Sequence, residues 1–370
     1  MIRVLHITSG MIYGGIETFI MEVYRNIDRE MVQFDFLVHT KEKCAFDDEI
    51  KQLGGIIHHV TSRHDNLAKN VCDLNSFFRH NKEYSIIHQH ISSLSYVTPL
   101  KFARLYGYPV RIAHSHSTAD TGGPFHLWLH EKNKKRIDRI ATHYFACSDL
   151  AADWLFPKHI QNGGKMKLIR NGIDLKKFRF SQTIRDKYRE EMMLTGKLVV
   201  GHIGRFHSLK NHKMLLEIFY HIHRIEPNAV LLLIGDGNLK TDILNKIEEL
   251  GICDSVIMTG VRSDIAELMQ AMDVYVLPSL SEGLPISLVE AQATGLPCFV
   301  SSTITQDVSI TPNIFYIELS QPAEHWANRI VKEIQSKERV DMSDMVQNAG
   351  FSIEDTADIL QQFYLGVTVI

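Results

Sequence analysis

Several features that would assign a chain to a particular class of protein are missing from this 370-residue sequence. Its five cysteines are scattered and never form a CxxC pair, which argues against a disulfide framework and against a zinc site. The 20 histidines include no HExxH or similar metal-ligand spacing. The longest apolar runs, such as residues 229–234, are too short to cross a bilayer. These absences favour a metal-independent protein of the cytoplasm.

Charge is nearly balanced. The formal net charge is -3, so there is no overall attraction to nucleic acid and any anion binding has to be local. With 45% hydrophobic and 22% charged residues, the composition is that of a soluble globular protein. The length exceeds what one hydrophobic core usually organises and therefore predicts two domains. No short repeat or low-complexity tract interrupts either half.

Short apolar segments alternate with helical segments throughout both halves of the chain. Strand alternating with helix implies a parallel sheet, so the pattern predicts an α/β protein with two doubly wound domains facing each other across a cleft. The turn at Asn171 and Gly172 and the polar stretch after it mark the boundary. We therefore expect a first domain over residues 1–172 and a second over 173–350.

The segment 279–297, SLSEGLPISLVEAQATGLP, is the most informative part of the sequence. It follows a buried strand predicted at 273–278 and contains a turn and then a helix that ends at Gly295. Pro285 suits the first helical position, where a missing N–H has no cost. The helix N-terminus would present backbone N–H groups to a ligand, which predicts an anion site.

Charged residues of both signs accompany this predicted anion site. Glu282 and Glu290 suit sugar hydroxyls better than phosphate, whose charge they would repel. Arg205 and Lys210 lie on the loop after the first strand of the second half and could neutralise a diphosphate. Taken alone, the same residues could be a capped surface helix with a solvated Glu290 and two solvated cations.

The first half offers weaker candidates. Gly14 and Gly15 lie between a strand and a helix, where backbone can approach phosphate, although an ordinary tight turn explains them equally well. Four histidines fall at predicted strand ends, where parallel sheets bind ligands: His88, His90, His114 and His116. Each could instead be a hydrogen-bonded structural residue. We favour His116 because it lies furthest out along its strand.

A basic segment forms a separate feature. Residues 131–139, EKNKKRIDR, are predicted as a basic helix preceded by Trp128. Such a helix beside an aromatic can lie on an anionic membrane surface. The alternative is a solvated helix face with Trp128 in the core.

Taken as a set, the motifs resemble one known family, the retaining GT-B-fold glycosyltransferases of family four. The resemblance rests on E-x7-E within EGLPISLVEAQATGLP, on GRFHSLKN, on GGIE and on LIRNGID, and it runs over nearly the whole chain in order. VLHITSGMIYGGIETFIMEVYR and QFDFLVH further resemble bacterial exopolysaccharide or capsule glycosyltransferases of the EpsF-like type.

The resemblance implies roles for individual residues. In the family, the cation pair at Arg205 and Lys210 holds the nucleotide diphosphate and stabilises the leaving group, and Glu282 contacts the donor sugar. The glutamate at Glu290 binds ribose. A first-domain histidine commonly contacts the sugar, which leaves His114 and His116 as alternatives. The remaining implied donor-binding positions are Gly14, Gly15, Gly235, Gly260, Val261, Gly283, Leu284, Pro285, Ile286 and Ser287.

The resemblance also implies an activity and an architecture. Both domains should be Rossmann-like, with a helix in residues 351–370 returning to the first domain. The expected enzyme is a retaining hexosyl- or N-acetylhexosaminyltransferase without metal or other cofactor. Its donor would be a nucleoside diphosphate sugar, most simply UDP-linked, and its acceptor a glycan or glycolipid bound by the first domain. Peripheral contact with the inner face of an anionic membrane is expected, and nucleic acid is not.

Three alternatives stay open at this point. A nucleotide-sugar epimerase on the same fold would turn over donor without an acceptor. A nucleotide-dependent dehydrogenase would need NAD, although the sequence lacks a good GxGxxG. A catalytically silent sugar-binding subunit has no need for four converging charges at Arg205, Lys210, Glu282 and Glu290.

Overall fold

The computed structural model describes residues 1–117, 122–334 and 339–367. The chain divides into two compact units, the first formed by Met1–Gly172 together with Ser352–Ile370 and the second by Ile173–Phe351. Each unit is a parallel sheet flanked by helices. The α/β fold with two doubly wound domains was predicted from the alternation of short apolar and helical segments, and that prediction is confirmed.

The first unit contains a seven-stranded parallel sheet in the order β3-β2-β1-β4-β5-β6-β7. The strands are β1 Ile2–Thr8, β2 Val32–Val38, β3 Ile57–His59, β4 Ile86–Ile91, β5 Val110–Ser115, β6 His143–Ala146 and β7 Met166–Leu168. The helices between them are α1 Gly15–Asn26, α2 Asp47–Gln52, α3 Leu67–His80, α4 Thr98–Leu105, α5 Pro124–Lys134, α6 Asp149–Leu155 and α7 Lys158–Gln161. A 3-10 turn spans Ile137–Arg139.

The second unit contains a six-stranded parallel sheet in the order β10-β9-β8-β11-β12-β13. The strands are β8 Val199–Ile203, β9 Val230–Ile234, β10 Val256–Gly260, β11 Val274–Leu277, β12 Cys298–Ser301 and β13 Ile314–Ile317. The helices are α8 Leu175–Phe178, α9 Gln182–Glu191, α10 His212–Ile225, α11 Lys240–Glu249, α12 Ile265–Ala271, α13 Ile286–Ala293, α14 Ala323–Ile334 and α15 Ser343–Asn348. Further 3-10 turns span Ser208–Lys210, Cys253–Ser255 and Gln306–Val308.

Both sheets are covered on two faces, so several of their strands are buried along the whole of their length. In β9 every residue from Val230 to Ile234 is buried. One hydrophobic cluster packs on each face of each sheet. The last helix of the chain, α16 Ile353–Val367, belongs to the first unit, where Tyr364 and Leu360 join the cluster under β1 and β2.

Each sheet reverses its strand order once. In the first unit the reversal lies between β1 and β4, and in the second between β8 and β11. Loops leaving neighbouring strands at such a point diverge to opposite faces of the sheet and open a crevice where ligands bind. The fold therefore marks one place in each unit where a site is expected.

Helix α13 departs in one detail from the sequence prediction. Pro285 occupies the N-cap, with ψ 93°, and Ile286 is the first helical residue. The ψ of Pro285 is outside the helical range, so the helix begins one residue later than predicted. Gly295 ends the helix with φ +73°, and a Cβ there would lie 1.8 Å from the Val340 carbonyl oxygen. The predicted role of Gly295 is thus confirmed, because only glycine fits that backbone.

The basic helix predicted at 131–139 is wrong in its extent. Helix α5 ends at Lys134, and the chain continues through a separate 3-10 turn at Ile137–Arg139. The alternative that placed Trp128 in the core is also wrong, because its side chain is 54% exposed. The fold leaves this aromatic on the surface beside the basic residues.

Candidate functional site

The second unit brings most of the predicted donor-binding residues to one edge of its sheet. Strands β10, β9, β8 and β11 are neighbours and parallel, so their carboxyl ends lie along the same edge. The loop that carries Lys210 follows β8, and the loop that carries Glu282 follows β11. These two strands flank the reversal of strand order, which is where the fold opens a crevice.

Lys210 and Glu282 meet directly. The Lys210 Nζ lies 2.7 Å from Glu282 Oε1, and the two side chains are only 19% and 13% exposed. The sequence assigned these residues to different parts of a ligand, and the structure pairs them with each other. Partly buried charges are strongly destabilised when unpaired, so each holds the other in place. A phosphate that reaches Lys210 would compete with Glu282 for the ammonium group.

The two loops are also joined through backbone. Asn211 adopts the left-handed conformation with φ +53° and donates from Nδ2 to the Pro278 carbonyl oxygen at 3.1 Å. The Leu280 N–H donates to the Leu209 carbonyl oxygen at 2.8 Å. These bonds fix the Lys210 loop against the start of the Glu282 loop, so the ion pair rests on a defined backbone.

Glycines allow close packing along the same edge. A Cβ on Gly235, whose φ is +138°, would lie 2.1 Å from the Gly204 carbonyl oxygen. A Cβ on Gly204 would lie 3.0 Å from Lys210 Cε. The Gly235 N–H also donates to the Gly260 carbonyl oxygen at 2.9 Å, and Val261 beyond it is 70% exposed. The predicted positions Gly235, Gly260 and Val261 therefore adjoin one another.

The start of α13 is anchored through a side chain that sequence reasoning missed. The Tyr275 hydroxyl lies 2.8 Å from Ser287 Oγ and 3.3 Å from the Ile203 carbonyl oxygen. Burial raises the pKa of Tyr275 above its usual value, which keeps the phenol protonated. It ties β8, β11 and α13 together.

The other residues at this helix differ in exposure. Gly283, Leu284, Ile286 and Glu290 are half-buried, whereas Pro285 is buried. Glu290 lies one turn into the helix. Arg205, at the end of β8, is exposed, and its side chain makes no hydrogen bond or ion pair with any part of the chain that the structure describes. Its guanidinium is thus the solvent-exposed cation of the predicted pair.

In the first unit, five histidines form an array at the corresponding edge of the sheet, four of them buried and His116 half-buried. His6 lies on β1, His88 and His90 on β4, His114 on β5 and His116 one residue beyond it. Register pairs His6 with His88 and His90 with His114. The signal for the array was present in the sequence, because residues two apart on a strand share a face. His6 was nevertheless missed.

The imidazoles of the array hydrogen-bond in two chains. His90 lies between His6 and His116, with N···N distances of 3.0 and 2.8 Å. His88 lies between the Tyr364 hydroxyl at 2.8 Å and His114 at 3.1 Å. Burial lowers the pKa of all five rings, that of His116 to about 3. The array is therefore neutral at physiological pH.

Because the rings are neutral, the positions of the protons on His6, His90 and His116 depend on one another. A neutral imidazole has one N–H, and each hydrogen bond between rings uses one proton. If His90 donates to His116, then His116 carries its own proton on Nδ1, a buried atom without a partner in the described structure. If His90 donates to His6 instead, His116 Nδ1 is a bare acceptor. His90 thus determines whether His116 offers a donor or an acceptor.

Two histidine triads within the array have ligand atoms that lie within 4.8 Å of one another: His6, His88 and His90, and His90, His114 and His116. Imidazole nitrogens are common ligands for transition metals. In both triads, however, nitrogen atoms that face each other share protons, so a metal would have to displace those hydrogen bonds. No metal was expected from the sequence.

The loop at Gly14 and Gly15 in the first unit lies against a side chain of the helix that it precedes. Gly14 is the N-cap of α1 and Gly15 its first residue. A Cβ on Gly14 would lie 2.4 Å from Glu17 Oε2, whereas one on Gly15 would meet no atom within 4 Å. Burial raises the pKa of Glu17. The structure thus places a carboxyl group beside the predicted phosphate-approach loop.

Comparison with known proteins follows the same division of the chain. A family model described as "Glycosyltransferase Family 4" matches residues 13–177, and one described as "Glycosyl transferases group 1" matches residues 184–349. EpsF of Bacillus subtilis is 36% identical over 337 residues, which are 89% of this chain and 87% of EpsF. A UDP-Gal:alpha-D-GlcNAc-diphosphoundecaprenol alpha-1,3-galactosyltransferase of Escherichia coli is 26% identical over 100% of this chain and 98% of its own.

Solved structures show the same fold at low sequence identity. HepE of Anabaena in complex with UDP-glucose aligns with a TM-score of 0.76 and 19% identity, covering 99% of this chain and 100% of HepE. A sucrose-phosphate synthase of Thermosynechococcus elongatus aligns with a TM-score of 0.77 and 18% identity, covering 100% of both chains.

Two parallel α/β units with these structural neighbours define a protein of the GT-B class. The match to EpsF and to the two family models is more specific: the chain belongs to the family four-type GT-B glycosyltransferases. The family resemblance predicted from the motifs is therefore confirmed. No helix in the described part of the chain has the length and apolarity to span a membrane.

Proposed function

We propose that this glycosyltransferase moves a hexosyl or N-acetylhexosaminyl group, with retention, from a UDP-linked donor to a hydroxyl of a lipid-linked glycan. The product would serve bacterial exopolysaccharide or capsule synthesis. The observation that carries the proposal is the half-buried Lys210–Glu282 ion pair at the strand-order reversal, beside the N-terminus of α13. It combines a cation for phosphate with an acceptor for sugar hydroxyls at one point.

Exchange of partners at this pair would couple binding to catalysis. A diphosphate would take Lys210 from Glu282, and the released carboxylate would accept hydrogen bonds from the donor sugar. Charge grows on the leaving phosphate in the transition state, where Lys210, Arg205 and the helix N-terminus would stabilise it without metal. Glu290 would accept from ribose hydroxyls. His116 would contact the donor sugar, with His114 as the alternative.

The relatives support the choice of UDP and of a lipid-linked acceptor. The Escherichia coli relative is named for UDP-Gal and a diphosphoundecaprenol-linked acceptor. A Staphylococcus aureus relative, 26% identical over all of both chains, is named as the capsular polysaccharide biosynthesis glycosyltransferase CapH. HepE has been crystallised with UDP-glucose. A UDP-sugar is accordingly the first donor to test.

Helix α5 supports peripheral contact with an anionic membrane at the cytoplasmic face. Phe125 and Trp128 are 66% and 54% exposed and stack at 5.8 Å, and Lys132 lies over the Trp128 ring. Exposed Lys135 and Arg136 follow. Exposed aromatics beside cations suit the headgroup region of a bilayer. Lys134 suits it less, because its Nζ donates to the Asp153 and Trp154 carbonyl oxygens.

Vesicle flotation tests the membrane proposal. Wild type should bind vesicles that contain phosphatidylglycerol and not neutral ones, and binding should weaken with salt. Trp128→Ala and the double variant Lys135→Gln, Arg136→Gln should each reduce binding, whereas Lys187→Gln on exposed helix α9 of the second unit should not. Unchanged binding in both α5 variants would remove α5 as the contact surface.

Ligand-induced thermal stabilisation tests the donor site. A ligand at 100 times its Kd stabilises by about 2.7 kcal/mol, so the proper nucleotide sugar should raise Tm clearly. We expect stabilisation by UDP and one UDP-sugar in wild type, and its loss in Lys210→Ala. No stabilisation by any nucleotide sugar would favour a silent sugar-binding subunit. Conversion of donor without an acceptor would favour an epimerase, and binding of NAD a dehydrogenase.

A further inference from the structure

The first unit contains a cavity of about 410 Å³ at the carboxyl ends of β1 and β4. Its lining is polar on several sides and includes Thr8, Glu17, Arg63, Gln89, Ser95 and Tyr96. The proposal below rests on the proposed function, in which this unit binds the acceptor, and it specifies the chemistry that the acceptor must have.

Arg63 supplies a fixed cation to this cavity. Its guanidinium lies over the Tyr96 ring at 4.7 Å from the centroid. Tyr96 is held in turn, because its hydroxyl donates to Asn70 Oδ1 at 2.7 Å and Asn70 is fully buried. Within residues 1–117, 122–334 and 339–367, no carboxylate pairs with Arg63. A stacked guanidinium keeps its N–H edges available, and a planar donor fork suits phosphate oxygens.

Gln89 supplies an acceptor that lacks a donor. Its Nε2 donates to the Tyr96 carbonyl oxygen at 3.3 Å, which orients the amide. The other amide atom, Oε1, is buried and unpartnered in the described structure, and the residue is only 4% exposed. Buried acceptors without donors are costly, so an O–H or N–H group supplied by a ligand would satisfy this oxygen. Glu17, 8% exposed, adds a carboxyl group to the same wall.

The hydrogen-bonding requirements of Arg63 and Gln89 are complementary. Arg63 has donors that lack an acceptor, whereas Gln89 has an acceptor that lacks a donor. A neutral sugar satisfies Gln89 and leaves the guanidinium without its anion, and free phosphate does the reverse. A sugar that carries a phosphate satisfies both at once.

We propose that this cavity binds the acceptor as a glycosyl phosphate, with sugar hydroxyls donating to Gln89 Oε1 and Glu17 and the phosphate accepting from Arg63. The same chemistry occurs in a free sugar phosphate and in the reducing end of a lipid-linked saccharide. The site therefore selects acceptors by their first sugar and its phosphate, and the lipid contributes through membrane contact rather than through this cavity.

Calorimetric titration of the full chain with N-acetylglucosamine 1-phosphate, N-acetylglucosamine and inorganic phosphate tests the site. The glycosyl phosphate should bind at least about tenfold more tightly than either part, since a charge-assisted hydrogen bond contributes that much or more. Arg63→Ala should weaken its binding by about tenfold or more, and Arg63→Lys by less. Arg79→Ala, an exposed arginine on α3 away from the cavity, is the matched control and should bind as wild type.

Two further variants separate this site from the donor site. Lys210→Ala should bind the glycosyl phosphate normally, and Arg63→Ala should still be stabilised by UDP. Gln89→Leu should weaken the sugar and the glycosyl phosphate alike and leave inorganic phosphate unaffected. Loss of glycosyl phosphate binding in Lys210→Ala but not in Arg63→Ala would overturn the inference and leave the donor site intact. Failure of UDP binding in wild type would instead count against the proposed function.

Comparison of glycosyl transfer to the free and the lipid-linked glycosyl phosphate identifies the natural source. Both should be acceptors in wild type and both should lose activity in Arg63→Ala. A lipid-linked acceptor that is used equally well by Arg63→Ala would show that recognition lies in the lipid and would contradict the proposal.

Discussion

The two units share a topology and differ in the chemistry at the same place. Through six strands both sheets have one order, with the reversal between the first and fourth strand of each. At that edge the first unit has five neutral imidazoles, four of them buried and one half-buried, and the second has a half-buried ion pair with an exposed arginine nearby. Topology therefore locates a site, and the side chains at the strand ends decide what it can do.

This difference has an energetic cause. Imidazoles can be buried at modest cost because deprotonation removes their charge, after which they hydrogen-bond one another. Lys210 and Glu282 are instead held as an ion pair, in which each charge compensates the burial of the other. The array thus brings no charge to this edge of the first unit, whereas the same edge of the second unit carries two opposite charges that hold each other.

The largest expected effect that distinguishes the two units is their response to acid. Buried histidines of the first unit have pKa values below 6.5 in the fold, whereas an unfolded histidine titrates near 6.5. Below that pH the unfolded state binds more protons, so the free energy of unfolding falls with pH. The loss approaches about 1.4 kcal/mol per pH unit for each histidine that stays neutral. Above that pH these groups contribute no pH dependence.

Amide hydrogen exchange at pH 7.5 and 5.5, corrected for the intrinsic exchange rate, measures this loss of stability in each unit separately. Strands β1, β4 and β5 should lose protection at the lower pH. The second unit should lose less, since His202 and His212 are its buried histidines of lowered pKa among the described residues. Equal loss in both units would contradict the assignment of acid sensitivity to the array.

Next in size is the effect of removing the cation of the ion pair. Lys210→Ala should lower kcat/KM by about a thousandfold, the scale found for a donor that stabilises transition-state charge. It also leaves Glu282 without its partner. The exposed neighbour Lys213 gives a matched control, and Lys213→Ala should keep wild-type turnover. A loss of tenfold or less in Lys210→Ala would mean that leaving-group stabilisation comes from elsewhere.

Glycine substitutions compare the loops of the two units. Gly235→Ala combines φ +138° with a Cβ at 2.1 Å from the Gly204 carbonyl oxygen, so we expect a loss of about 1–3 kcal/mol in stability and weaker UDP binding. Gly15→Ala meets no atom within 4 Å and should change stability by about 0.5 kcal/mol or less. Urea unfolding and UDP titration measure both.

Gly15→Ala also tests a prediction that the structure leaves open. If Gly15 approaches the diphosphate, the added methyl group should lower kcat/KM although stability is unchanged. Wild-type kinetics in this variant would make the loop an ordinary helix start. Glu17→Gln is the companion variant, since its side chain lies beside Gly14.

The sequence predicted the fold and the second-unit edge well because both depend on local patterns. Strand and helix periodicity, the glycine that ends α13 and the spacing of charges are all visible along the chain. The Lys210–Glu282 contact joins residues 72 apart, and the bond from His88 to Tyr364 joins residues 276 apart. Such contacts follow from strand order, which periodicity does not contain. The position of His6 beside His88 likewise follows from the pairing of β1 with β4, 82 residues along the chain.

A last, modest effect is expected where α16 supports the histidine array. Tyr364→Phe removes the hydroxyl that lies 2.8 Å from His88 Nδ1 and leaves that buried nitrogen without this partner, which should cost about 1–2 kcal/mol. Tyr106→Phe removes a hydroxyl bonded to Asn75 on a more accessible surface and should cost less.

Nitrogen-15 NMR of the imidazoles gives a readout that stability alone does not. We expect the Tyr364 hydroxyl to donate to His88 Nδ1 in wild type, which would place the proton of His88 on Nε2, facing His114. In Tyr364→Phe that preference is lost, and His88 and His114 should show mixed tautomers. A single unchanged tautomer would mean that the strands, and not the returning helix, order the array.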